Sequence, residues 1–254
     1  MTSSSGLEMS TMLAAHDPTQ NHLLGALPAA DYHRLHAQLE RVALPVGLAL
    51  YESGMPQEYV YLPTTGIVSL LYLMRDGSSA EMAVVGNEGV VGIAFFMGGE
   101  TTPSRAVVQS DGYAFRLTAS LLKREFERAG PLQYLLLRFT QALITQMAQT
   151  AECNRHHAPE QQLCRWLLLS LDRLPSNELT MTEELIANML GVRREGMTEA
   201  AAKLQAEGVI HCSRGKITVV DRGQLEARVC ECYSVVKRES DRLLLRNSAM
   251  VEVS

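Results

Sequence analysis

The stretch TEELIANMLGVRREGMTEAAAKLQAEGVIHCSRGKITV, residues 182–219, decides the fold. Thr182 is a residue type suited to a helix N-cap, and Glu183 and Glu184 follow in the first turn, where carboxylates meet the positive end of the helix dipole. Ile186, Met189 and Leu190 fall on one face, and Gly191 supplies the stop. A second apolar stripe follows, Met197, Ala200, Ala201 and Leu204, again at helical spacing. Its opposite face carries Arg194, Glu195, Thr198 and Glu199, and Gly208 ends it. Residues 209–212 and 216–220 then read as two strands closed by Ser213-Arg214-Gly215. Helix, turn, helix and a basic-tipped hairpin are the layout of a winged helix-turn-helix. The small residues Ala200, Ala201 and Ala202 let the second helix pack closely beneath a projecting polar face. The stretch reads as a DNA-reading module.

The chain around it has 254 residues, enough for one large or two modest domains. Its net charge of −5 argues against general coating of nucleic acid, yet residues 193–216 hold five basic side chains against three acidic ones. Positive charge is therefore concentrated where a DNA reader needs it. Five cysteines, an odd number, and no secretory pattern at the N-terminus point to the reducing cytoplasm. The longest nearly apolar run, 89–99, is too short and glycine-rich to span a bilayer, so no membrane partner is expected.

Upstream, residues 1–21 read as a flexible tail and 22–40 as helical, through Leu23, Leu24, Leu27, Tyr32, Leu35 and Leu39. From 42 to 117 the texture is β-rich, with short pieces at 48–51, 59–62, 67–72, 80–85, 90–93, 106–108 and 113–117. Glycine turns every ten or so residues indicate an all-β roll, and Arg75-Asp76-Gly77-Ser78 is a hairpin signal. Residues 118–128 form a short helix, and Pro131 opens a long one that stops before Pro159. Leu136, Leu143 and Thr150 alternate with Thr140 and Met147 in the 4-then-3 spacing of a coiled-coil seam, which predicts self-association. Leu132, Leu135 and Phe139 offer a second face to the roll. Residues 160–174 supply the first helix of the DNA domain. Asp221 with Gln224 starts a last helix, with Leu225, Val229, Cys232, Val236 and Leu243 along one stripe.

In this order the elements resemble the Crp/Fnr family of bacterial transcription regulators. The residues that carry the resemblance are GNEGVVG at 86–92, the long helix from Pro131, and MTEELIANMLGVRREG at 181–196 followed by SRGKITV. It implies an α+β chain with a cyclic-nucleotide-binding-like roll, a dimerisation helix and a winged helix-turn-helix. The expected units are a tail (1–21), a sensor roll with flanking helices (22–130), the dimerisation helix (131–158), the DNA-binding domain (159–222) and a helical extension (223–254). The implied function is sequence-specific transcriptional regulation, as a cytoplasmic homodimer on a palindromic operator. RNA polymerase is the implied protein partner, and a small-molecule effector would act through the roll.

The resemblance assigns base reading to Arg194 and Glu195, with Thr182, Arg193, Thr198, Glu199, Arg214 and Lys216 completing the DNA surface. Arg193 replaces the family's usual serine, and Glu199 stands where an arginine that contacts DNA is common. The dimer helix would use Leu136, Phe139, Leu143 and Met147. The effector pocket would involve Gly92, Ile93, Glu100, Ser104 and Arg105. Nucleotide-binding members carry Gly-Glu and Arg-Ser in this cassette. Here Gly92 precedes Ile93, and Ser104-Arg105 is the reversed pair, which turns Arg105 to the other face of its strand. Glu100 is the remaining candidate for a displaced carboxylate. No cysteine precedes Cys153, so the N-terminal ligands of the iron–sulfur oxygen sensors are absent. Neither a cyclic nucleotide nor an iron–sulfur cluster is expected, and the signal is unidentified.

Chemically, an arginine offers a bidentate fork to guanine, and a glutamate accepts from cytosine. Arg214 and Lys216 at the wing would hold phosphate, which sets register without reading sequence. Cys153, His156 and His157 share a helical face, with Cys164 beyond Pro159. A thiolate beside imidazoles could hold zinc or haem, so a metal or redox sensor is the alternative reading and haem stays open. A polar hinge is the plainer account of the same residues. Cys230 and Cys232, two apart on the expected helix, point to different sides and make a poor joint site. A regulator with no effector is a third reading. No nucleophile elbow or phosphate-loop lysine motif occurs, and an enzyme is not expected.

Overall fold

The computed structural model describes residues 17–245, apart from Asp76. Two short helices, α1 (His22–Gly25) and α2 (Ala29–His36), lead into five strands. These are β1 (Glu40–Leu44), β2 (Ala49–Tyr51), β3 (Tyr59–Leu73), β4 (Ser79–Val85) and β5 (Ser104–Thr118). The sheet order is β1-β5-β3-β4, with β2 also on β5, all antiparallel. Register shifts along β3 and β5 between Pro63 and Val68 bend the two long strands, as bulges do, and curl the sheet into a roll. Val68, Leu70, Ala106 and Val108 fill its interior.

Next come α3 (Ala119–Glu127), α4 (Pro131–His156) and α5 (Pro159–Leu171). The reading module adds β6 (Glu178–Thr180), α6 (Glu183–Leu190), α7 (Arg194–Ala206), β7 (Ile210–Ser213) and β8 (Lys216–Val219), with β8 central in its sheet. Helices α8 (Arg222–Arg228) and α9 (Glu231–Ser240) follow, then a π turn at Asp241–Leu245. α9 runs along α4: the Arg138 guanidinium donates to the carbonyls of Arg242 and Leu243, and Gln141 donates to Glu239.

The reading module does not hang from the roll by a linker. Leu163, Leu167, Ile186, Leu190, Met197 and Leu204 form one core with Ile67, Leu71 and Val84 of the roll's strands. A polar layer crosses the same boundary. Ser69 Oγ donates to Glu81 Oε2 at 2.6 Å, and Gln109 Nε2 donates to Ser170 Oγ of α5 at 3.1 Å. Glu81 is only 6% exposed. Burial pushes its carboxyl up to about 7, against the pull of the Ser69 hydroxyl and the Arg165 guanidinium. Arg165, itself buried, donates to Thr150 Oγ1 of α4 at 3.0 Å.

The structure departs from the sequence reading in several places. The helix expected over 22–40 is broken by Pro28, and its end is β1. Residues 17–21, placed in the tail, include the wholly buried Asn21, which caps α1 and donates to the carbonyls of Pro63 and Gly89. Residues 1–16 of that tail, and 246–254 of the extension, lie outside the described residues, as does Asp76 of the hairpin signal. The pieces at 59–62 and 67–72 are one strand, and those at 106–108 and 113–117 another. Residues 90–93 make only a bridge, Val91 to Tyr61. The last helix is two, parted at Val229 and Cys230, both in extended conformation.

The dimer seam needs correction. Leu136, Phe139 and Leu143 are buried in the chain's own roll core, and Met147 packs against the same cluster. The helix carries two apolar stripes, and spacing alone does not say which meets the roll. The stripe left exposed is one position away: Tyr134, Leu137, Gln141, Ile144, Ala148 and Ala151, alternating by three and four. Leu137 and Ile144 are 51% and 56% exposed.

Candidate nucleic-acid interface

The Thr182 hydroxyl caps α6 by accepting from Leu185 N at 3.3 Å. Gly191 closes that helix at φ +66°, a left-handed conformation that costs glycine nothing, and Val192 N returns to the Ala187 carbonyl. The turn launches α7 from Arg193, which occupies the N-cap without a side-chain bond to the backbone. Met197, Ala200, Ala201 and Leu204 bury the inner face of α7. Arg193, Arg194, Glu195, Thr198 and Glu199 are exposed on the other. At the wing, Arg214 and Gly215 both take positive φ, +50° and +75°, in a tight hairpin turn that projects the arginine.

Thr182, Glu184, Arg194, Arg214 and Lys216 line one cleft of about 400 Å³ between α6, the start of α7 and the wing. Glu195, Thr198 and Glu199 lie outside that lining, farther along the exposed face of α7. Two carboxylates temper the cations: Glu184 Oε2 stands 4.0 Å from Arg194, and Glu178 Oε2 3.8 Å from Lys216. The role of Glu184 is not visible in sequence, where it reads only as a dipole partner of its helix.

In the roll, Arg105 pairs across the sheet with Leu71 of the outer core and forms an ion pair with Glu52 at 2.9 Å. Its neighbour Ala106 points into the roll. Ser104 Oγ contacts Thr102 Oγ1 at 2.9 Å, while Glu100 is exposed and Ile93 packs on the roll core. Gln57, which sequence reasoning missed, is 5% exposed and has no hydrogen-bond partner for either amide atom among the described residues. A Cβ on Gly92 would lie 3.5 Å from Gln57 Oε1.

The loop GNEGVVG touches both neighbours of the roll. Glu88 Oε1 accepts from Arg173 Nε at 2.7 Å, just after α5. Gly89 sits so close to α4 that a Cβ there would stand 2.0 Å from Phe139 Cε2. No side chain but glycine's fits without displacing the Phe139 ring.

The cysteines and histidines are arranged differently from the expectation. His156 is exposed beside Glu152, and Cys164 is buried apart from the others. Cys153 and His157 instead meet Cys230 and Cys232. The two late cysteines converge because Cys230 precedes α9 in extended conformation and does not share a helix with Cys232.

Comparison with known proteins agrees with this architecture. The model of the Crp-like helix-turn-helix domain matches residues 161–228, and that of the cyclic nucleotide-binding domain matches 41–129. A crp/fnr-family transcriptional regulator from Eubacterium rectale is similar in structure at 21% identity and a TM-score of 0.64, covering 81% of this chain and 96% of that one. FixK2 from Bradyrhizobium japonicum gives 19%, a TM-score of 0.65 and coverage of 76% and 98%. The c-di-GMP responsive global regulator CLP of Xanthomonas campestris gives 18%, a TM-score of 0.62 and coverage of 76% and 100%. No curated protein matches the chain. Among the described residues no helix is long and apolar enough to cross a membrane.

Proposed function

The chain belongs to the Crp/Fnr family of transcription regulators, with a helix-turn-helix DNA-binding domain and a cyclic-nucleotide-binding-like sensing domain, and from that premise we propose how it reads DNA. Two copies pair along the exposed stripe of α4 and present two α7 helices to successive major grooves. Arg194 reads a guanine, Glu195 accepts from a cytosine, and Thr198 and Glu199 border the same groove. Thr182, Arg193, Arg214 and Lys216 hold phosphate at the rim. The observation that carries this reading is Arg194, at the start of the exposed polar face of α7, sharing one cleft with Arg214 and Lys216 of the basic wing. The relatives are regulators and not enzymes, and RNA polymerase is the partner this role calls for.

The roll supplies the signal input. The Arg105–Glu52 pair and the Ile93 side chain replace the phosphate and sugar contacts of a nucleotide site. Gln57, buried beside Gly92 and unpartnered among the described residues, supports a different polar effector inside the roll. Glu88 and Gly89 would pass its binding to α5 and α4.

Selection from a random duplex library by the full-length protein tests the DNA reading. The expected product is a palindrome whose half-sites lie roughly one helical turn, about 34 Å, apart. Enrichment of no sequence over the starting pool would refute it.

A further inference from the structure

Four side chains with no place in the DNA surface meet where α4 ends. Cys153 lies in its last turn and His157 at its C-cap, while Cys230 is the N-cap of α9 and Cys232 lies in its first turn. All three cysteines are buried, and the ligand atoms of the four residues lie within 4.8 Å of one another. Cys153 Sγ is 3.6 Å from Cys230 Sγ, and Cys232 Sγ is 3.7 Å from His157 Nδ1. A zinc ion holding sulfur at about 2.3 Å in a tetrahedron sets its ligand atoms roughly 3.8 Å apart. Both separations already have that size. An iron–sulfur cluster needs a wider set, since its thiolates bind different iron atoms.

We propose that Cys153, His157, Cys230 and Cys232 bind a single zinc ion in a closed structural site. Three thiolates and one imidazole are a ligand set that tetrahedral zinc takes with no position left for catalysis. The surroundings fit a metal in two further ways. The second nitrogen of His157, Nε2, stands 3.5 Å from Glu231 Oε2, the carboxylate–histidine arrangement that orients an imidazole toward a metal through its other nitrogen. Three thiolates around a divalent ion leave one net negative charge. The buried Arg165 guanidinium, bonded to Thr150 one turn before Cys153, offsets it. Each thiol releases its proton on binding, and His157 binds through its unprotonated Nδ1.

The ion would clasp the end of α4 to the start of α9, two residues before Pro159 opens α5. It fixes the point at which the pairing helix hands over to the DNA reader.

Elemental analysis of the full-length protein, purified anaerobically under reducing conditions without an affinity tag, tests the site. One zinc per chain is expected. After removal of zinc, cobalt(II) alone should bind one per chain, with the intense visible bands and thiolate charge transfer of a tetrahedral site. Cys153→Ser and Cys230→Ser should lose the stoichiometric ion, while Cys164→Ser and Cys212→Ser keep it. His157→Cys should retain cobalt with stronger charge-transfer absorption, a change that a merely structural histidine would not produce. Folded wild-type protein that takes up neither ion would overturn the proposal. So would iron with sulfide in the purified chain, or equal loss of metal in the Cys212→Ser control.

Discussion

Arg194 stands in the first turn of α7 with its side chain 69% exposed and a carboxylate, Glu184, within reach of an ion pair. Such an exposed pair contributes little to stability, so the arginine is available to exchange it for a base edge. Arg194→Ala should cost roughly 1–3 kcal/mol of discrimination at one base pair per half-site. Lys216→Ala should weaken all duplexes alike and lower the salt dependence by about one phosphate contact. Glu184→Gln should tighten binding to every sequence. Titration of operator and scrambled duplexes at several salt concentrations separates the three; an unchanged base preference in Arg194→Ala would move the recognition register. The exposed face of α7 was legible because caps, glycines and alternating faces are local signals. Glu184 was not, because its effect depends on a neighbour across a turn.

At the scale of elements, α4 shows where periodicity stops informing. Two stripes one position apart both satisfy heptad spacing, and only the roll decides between them by burying Leu136 and Leu143. Leu137→Glu or Ile144→Glu should therefore yield folded monomers that no longer bind a palindrome. Leu143→Glu should instead unfold the roll core, with a loss on the order of several kcal/mol for an unpaired buried carboxylate. Sedimentation and circular dichroism of the three variants distinguish these outcomes, and a dimeric Ile144→Glu protein would remove the stripe from the interface. The broken final helix escaped the sequence for a related reason. Val229 and Cys230 are no helix breakers, and what parts α8 from α9 is packing against residues 77 positions away, where Cys230 meets Cys153.

For the whole molecule, the boundary between roll and reader holds a buried titratable group, Glu81. Glu81 keeps its proton up to about 7 when folded, against 4.5 for the ordinary carboxyl. The folded state therefore binds a proton that the unfolded state has released throughout that window. Its contribution is fully present below pH 4.5, declines as pH rises from 4.5 to 7, and is gone above. The span is on the order of 3 kcal/mol. Urea unfolding of wild type and Glu81→Gln at pH 5 and pH 8 should show a pH-dependent difference between them; parallel curves at both values would deny the group this part.

The core that joins Ile67, Leu71 and Val84 to α5, α6 and α7 also constrains how such a protein can be rebuilt. A reading module attached by a tether can be exchanged like a cassette. This one presses its apolar underside onto β3 and β4, so a reader grafted from a relative would meet a surface shaped for another partner. Retargeting by chimera must move the outer face of the roll together with the reader, whereas retargeting by substitution can stay within the exposed face of α7.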